Sequence, residues 1–148
     1  DLLWLDYPTF DQEVEVVRST TVDRDADVKP VMSGADLVRY QHTVRQIPVA
    51  NNVIEFAVRL VGKTRPGTEM SSDVVDNYLS YGAGPRASQY LVLGAKTLAA
   101  LDGRTTPLES DVRRMAVPVL RHRIVPNFNA EADGIGSVDV IERLLEDV

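Results

Sequence analysis

Apolar positions along this chain recur mostly at three- and four-residue spacing, which predicts helices separated by short, punctuated loops. Leu2-Leu3-Trp4-Leu5 is the exception: four consecutive apolar residues closed by Tyr7-Pro8 are too short for a helix and suit a buried strand. Thr9, with Gln12 three residues on, makes a capping box that opens a first helix with Val14 and Val17 on its apolar face. Residues 23–29 are polar and acidic and read as a loop. Ser33 caps a second helix carrying Leu37, Val44 and Ile47 on one stripe, and Pro48 ends it. A third begins near Asn51 or Asn52 and turns Val53, Ala57, Leu60 and Val61 inward, before Arg65-Pro66-Gly67-Thr68 breaks the chain. Residues 72–79 read as a short helix with Val75, Tyr78 and Leu79 inside.

Tyr81-Gly82-Ala83-Gly84-Pro85 then feeds a long helix, with Pro85 at the first position, where its missing N–H is harmless. That helix runs through Tyr90, Leu91, Ala95, Leu98 and Leu101 to a C-terminal cap at Gly103. Thr106-Pro107 opens another with Val112, Met115 and Ala116, and Pro118 is expected to stop it. Residues 119–125 read as a short strand or an extended turn, and Ser137 caps a last helix with Val140 or Ile141, Leu144 and Leu145 inward. With no internal repeat or linker, the pattern predicts an all-α small helical bundle with a short N-terminal strand. A strand with both edges unpaired is not stable alone, so the chain is expected to be one part of a larger fold.

Composition narrows the function. A length of 148 residues is about one domain, and 44% hydrophobic residues exclude a disordered chain. No apolar run approaches the ~20 residues of a membrane helix, and no secretory leader is read at the start, so a cytoplasmic location is expected. The absence of cysteine excludes disulfides, thiolate zinc sites and cysteine nucleophiles. A net charge of −6 argues against a general nucleic-acid binder, which needs a basic face. Charge is uneven: residues 1–36 are strongly acidic, whereas residues 104–123 hold Arg104, Arg113, Arg114, Arg121 and Arg123 against Glu109 and Asp111. Such runs are solvated faces or orient packing against a neighbour.

Residues 57–64 (AVRLVGKT) fit a relaxed phosphate-loop pattern, but a phosphate loop needs a Gly-rich turn whose N–H groups converge. Val-Arg-Leu-Val is stiff and apolar and lies on a helical stripe, so the segment reads as helix. Asp6, after four apolar residues, imitates a Mg²⁺-holding acid but precedes that segment and lacks a following Glu. His122, between Arg121 and Arg123, reads as a packed or capping histidine, and His42 as surface. Asp133-Gly134-Ile135-Gly136 has too few acids for a calcium loop and reads as a turn. Asp73 and Asp76 read as helix solvation, and no carboxylate pair forms an acid/base couple.

Three stretches resemble the C-terminal part of the MoxR family of AAA+ ATPases: residues 2–8 (LLWLDYP) with the acidic segment 11–17 (DQEVEVV); 81–87 (YGAGPRA) with 95–103 (AKTLAALDG); and 116–124 (AVPVLRHRI). Gln46-Ile47-Pro48-Val49 and residues 58–65 resemble the family in type and order. The resemblance implies that residues 1–8 are the end strand and hinge of an α/β ATPase core, and residues 9–148 the helical lid. The phosphate loop, the Mg²⁺-binding acid, the first sensor and the arginine finger would belong to that core. The family usually has Ser where Gly84 stands, and residues 106–111 are about two longer than its Thr-Pro-Glu-Asp.

By this resemblance Arg86 is the second sensor, with Gly84 and Pro85 as the helix start supporting it. The residues agree: the first turn of a helix offers free N–H groups and a positive dipole end to an anion, and a guanidinium matches phosphate geometry. The parent protein is implied to be a ring-forming, hexameric, ATP- and Mg²⁺-dependent chaperone-like remodeller of other proteins. Its partners are implied to be its own core, neighbouring subunits and a protein with a von Willebrand A domain. The chain alone is expected to be inactive and to bind no metal. Two alternatives stand beside this reading: a free-standing helical interaction module with Arg86 incidental, and the lid of another AAA+ branch such as a magnesium chelatase subunit or a clamp loader.

Overall fold

Val53, Phe56, Ala57, Leu60 and Val61 lie on one face of a helix, α3 (Asn51–Lys63), and are almost completely buried. They face Ala87, Leu91 and Ala95 of α5 (Pro85–Leu101) and Val112, Met115, Ala116, Val119 and Leu120 of α6 (Glu109–Leu120). Val140, Ile141 and Leu144 of α8 (Ser137–Glu146) close the same core. The computed structural model describes residues 5–23 and 28–148. Within them, α1 (Phe10–Thr20) and α2 (Gly34–Gln46) precede α3, and α4 (Asp73–Tyr78) runs into β1 (Leu79–Tyr81) ahead of α5. The strand β2 (Val125–Pro126) and α7 (Phe128–Ala132) lie between α6 and α8. The architecture is the expected helical bundle, with one two-stranded antiparallel ladder in which Leu79 faces Pro126 and Tyr81 faces Val125. No described helix is long and apolar enough to cross a membrane.

Several local signals act as their chemistry dictates. The Thr9 hydroxyl accepts the Gln12 N–H, and the Gln12 side chain accepts the Thr9 N–H at 2.9 Å. Ser33 and Asp36 do the same for α2, which ends at Gln46 with Ile47 extended before Pro48. Gly103, at φ +71 in the left-handed region that favours glycine, terminates α5 by donating its N–H to Ala100 O, while the Arg104 N–H reaches back to Ala99 O.

Other expectations are corrected. Residues 2–4 of the expected N-terminal strand lie outside the described residues, and residues 5–9 have no regular structure, Leu5 being exposed. Val14 and Val17 are exposed and α1 buries nothing; Leu37 is exposed, and Val44 and Ile47 are only half-buried. Tyr90 and Leu101 of α5 are exposed too. Pro118 lies inside α6. It has no N–H for the Arg114 carbonyl, yet Arg121 N–H still bonds Val117 O, and burial of Val119 and Leu120 holds the last turn. Residues 119–125 therefore divide among helix, turn and the start of β2. Gly136, not Ser137, is the N-cap of α8, and Asp139 accepts the Gly136 N–H at 2.7 Å.

The start of α6 falls at Glu109 rather than at Thr106-Pro107 because Asp111 sets it. This carboxylate is only 2% exposed. It accepts the Leu108 N–H at 2.8 Å and two Arg104 N–H groups at 2.7 Å each. The Arg104 guanidinium holds the Asp111 carboxyl below its ordinary pKa, against the opposing effect of burial. A lowered folded-state pKa contributes stability that is complete above the unfolded value of about 4 and is lost as pH falls below it. Arg104→Ala leaves the carboxylate buried without its counter-ion, and should lower the pH 7 melting temperature by about 10 °C. Thermal melts at pH 7 and pH 3 check this: the loss at pH 7 should exceed that at pH 3, where Asp111 is free to take a proton. Equal losses at both pH values would show that the ion pair is not the cause.

Candidate functional site

The loop entering α5 is held from three sides. The Thr64 hydroxyl is buried; it donates to Val61 O at 2.7 Å and accepts the Ala83 N–H at 2.9 Å. Arg65 Nε donates to Ala83 O at 3.0 Å. Gly82 lies against the same backbone: a Cβ built on it would stand 2.2 Å from Thr64 O and 2.7 Å from Arg65 Cα. The β1–β2 ladder ties the loop to residues 125–126, just after the arginine-rich turn that follows α6.

These contacts aim the start of α5. Gly84 is its N-cap, extended at φ −83 and ψ 176, and offers no side-chain oxygen to the first N–H groups. Pro85 follows at the first helical position. Arg86 is exposed and, among the described residues, has no hydrogen-bond, ion-pair or ring partner. A cation in the first turn meets the positive end of the helix dipole, an arrangement that an arriving anion reverses. Arg86 lines a groove of about 550 Å³ whose walls are Arg45 of α2, Ile54 and Val58 of α3, and Gln89, Tyr90 and Leu93 of α5. Among the described residues no carboxylate lines it.

One turn along α5 from Arg86, the Tyr90 ring carries the Arg123 guanidinium 5.0 Å from its centroid. Arg123 also bonds Val119 O and meets His122 Nε2. Two stretches far apart in sequence, 81–87 and 116–124, meet in the core, where Ala83 and Ala87 share one cluster with Ala116, Val119, Leu120 and Ile124. His122 is exposed, not packed, because the turn after α6 points it outward. Partial desolvation of its ring, and then Arg123, hold its pKa below the ordinary imidazole value. His42 is exposed, as expected of a surface residue.

The remaining candidates have structural partners. Residues 57–63 are helix, not loop; Lys63 Nζ donates to Asp147 O at 2.7 Å, and Thr64 is the latch described above. Asp133 ends α7 and accepts the Tyr78 hydroxyl at 3.0 Å, with Gly134 at φ +69, so the Asp-Gly-Ile-Gly segment is a turn. Asp76 accepts Ser71 Oγ at 2.6 Å and the Gly67 N–H, and Ser71 first, then Gly67, lowers its pKa. Arg113 clasps the C-terminal end of α8 through Leu145 O and Val148 O and stacks on Phe56, while Arg114 stands 3.7 Å from Asp102. Arg45 and Tyr90 share the Arg86 groove, and sequence order gave neither a role there. A legible hint was the pair Arg86 and Tyr90, four apart on one helical face.

Comparison with known proteins matches this architecture. The AAA lid domain family matches residues 71–144, from the approach to α4 into α8. Chaperone MoxR1 of Mycobacterium tuberculosis is 32% identical over 142 residues, covering 96% of this chain and 37% of that protein. YeaC of Bacillus subtilis is 24% identical over 149 residues, covering 99% of this chain and 43% of YeaC. A crystal structure of a candidate ATPase from Cytophaga hutchinsonii superposes with a TM-score of 0.76 and 29% identity, over 97% of this chain and 44% of that one. The chain spans less than half the length of each of these relatives. Helical architecture, matched family and relatives agree: the chain belongs to the AAA lid domain family and is a lid of the MoxR type.

Proposed function

We propose that this lid senses nucleotide through Arg86 within a ring-forming, hexameric, ATP-hydrolysing remodeller of partner proteins. The observation that carries the reading is an exposed guanidinium without a partner among the described residues, in the first turn of a helix whose N-cap has no side-chain oxygen. Bound in the ATPase core, ATP supplies the phosphoryl group that is transferred. This chain would hold Arg86 at the β/γ-phosphates, where a preorganised cation stabilises charge developing as the terminal phosphoryl leaves. The contact exists only while the γ-phosphate is present, so it would bias lid position by nucleotide state. Gly84 and Pro85 set the helix start that aims the side chain.

Mg²⁺ would be held by the core and the nucleotide; among the described residues no cluster of three or more acidic or histidine side chains could hold a metal. We assign residues 1–8 to the end strand and hinge of that core and residues 9–148 to the lid. The core is then the surface that exposed Phe10, Val14 and Val17 of α1 would meet. A cytoplasmic location and a partner with a von Willebrand A domain complete the proposal.

Two experiments test it. Arg86→Ala in the full-length ATPase carrying this lid should lose most hydrolysis. The chain by itself should show no ATPase activity and bind nucleotide only in the millimolar range by calorimetry, since a surface groove with one or two cations buries little of the ligand. Micromolar binding by the chain alone would place the principal nucleotide site here and overturn the division of labour.

A further inference from the structure

Most described arginines are engaged by carboxylates, carbonyls or rings: Arg18, Arg39, Arg65, Arg104, Arg113, Arg114, Arg123 and Arg143 have such partners, and Arg121 also has one. The described arginines left without a partner are Arg45, Arg59 and Arg86, and two of these three, Arg45 and Arg86, line the same groove. They come from different elements. Arg45 is the penultimate residue of α2 and Arg86 the second residue of α5. Lys96 Nζ donates to the Arg45 carbonyl at 3.2 Å, which pins the end of α2 to α5, the helix that carries Arg86.

We propose that Arg45 is a second phosphate-binding guanidinium, and that the α2–α3–α5 groove receives a nucleotide polyphosphate between Arg45 and Arg86. The inference rests on the reading of Arg86 as a nucleotide contact and extends that site to α2. Two cations lining one groove that has no carboxylate among its described lining residues are left without a counter-ion until a multiply charged anion arrives, and a polyphosphate is such an anion. The groove's volume lies within the range of small-molecule sites. Ile54, Val58 and Leu93 give the groove an apolar floor that offers no competing counter-ion to the two guanidiniums. An acidic helix from another protein is disfavoured by placement: both cations sit at element ends, instead of being spaced along the groove as i, i+4 acids would require.

The test uses the full-length ATPase with Arg45→Ala, Arg45→Lys and Arg86→Ala. Steady-state kinetics are run beside direct binding of fluorescent ATP and ADP, and ring assembly is followed by light scattering. Arg45→Ala should raise KM for ATP about tenfold with kcat within about twofold, the loss of one charge-assisted contact. Arg45→Lys should recover part of that affinity, and ADP binding should weaken less than ATP binding. If Arg45→Ala leaves KM and ATP affinity unchanged while Arg86→Ala abolishes hydrolysis, the groove proposal fails and the Arg86 reading stands. If neither substitution changes nucleotide binding or turnover, the Arg86 reading itself fails. If Arg45→Ala dissociates the ring with ATP affinity intact, the groove is a subunit contact and the proposal is overturned.

Discussion

Gly82→Ala should destabilise the chain by at least about 3 kcal/mol, the largest structural effect expected of any single methyl group added here. The added Cβ would stand 2.2 Å from Thr64 O, 2.6 Å from Thr64 C and 2.7 Å from Arg65 Cα. All three are backbone atoms, so no side chain can rotate aside. At Gly62 and Gly94 the crowding atoms belong instead to side chains, the flexible end of Met70 and the Met115 side chain. Relief at Gly82 requires the loop to lift from the end of α3, which breaks the buried bond from Ala83 N–H to Thr64 and the Arg65–Ala83 bond. A buried hydroxyl and amide would then lose partners, adding to the steric cost. Gly84→Ser, two residues on, is the control: nothing stands within 4 Å of a Cβ there, and the new hydroxyl can cap α5, so stability should hold or rise by a few tenths of a kcal/mol. Denaturant unfolding of the two variants checks both. A Gly82→Ala cost below about 1 kcal/mol would show that the loop is not clamped.

Arg86→Ala should cut ATP hydrolysis by the full-length enzyme on the order of 100-fold, the usual effect of removing one preorganised donor from a developing oxyanion. Stability should stay within about 0.5 kcal/mol, since the side chain is exposed and has no partner among the described residues. This separates the functional reading from the interaction-module reading, in which neither quantity moves. Arg86→Lys should fall between, keeping a charge but losing the planar fork that engages two phosphate oxygens. Single-turnover and steady-state rates, with melting curves for each variant, make the measurement; undiminished turnover in Arg86→Ala sinks the sensor role.

Which elements were readable depended on how local their causes are. The capping boxes at Thr9 and Ser33 act within four residues, and so does the reversal at Gly103, so all three were visible in the chain. The α3 stripe was equally plain because one helical face there is uniformly apolar. Pro118 misled because its local penalty is outweighed by the burial of Val119 and Leu120, which only the packed bundle supplies. The five-residue α7 and the β1–β2 ladder are too short to leave a periodic signal, and their pairing spans over forty residues. Val14, Val17 and Leu37 have helical spacing, yet they stay exposed because periodicity says which side is apolar and not whether anything covers it.

The same division applies to the site. Gly84-Pro85-Arg86 announces a helix start with a cation in its first turn, because Pro at the first position and an N-cap before it are local chemistry. That Arg45 shares its groove, that Arg123 sits over Tyr90, and that Gly82 must lack a side chain follow from contacts among residues 17 to 41 positions apart. Sequence alone thus determined the longer helices, the ends set by local caps at Thr9, Ser33, Pro85 and Gly103, and the residue most suited to meet an anion, because hydrogen bonds and backbone angles within a turn decide them. Tertiary structure decided which apolar faces are covered and which charges stay unpaired, since burial and pairing are set by neighbours that the order of residues does not name.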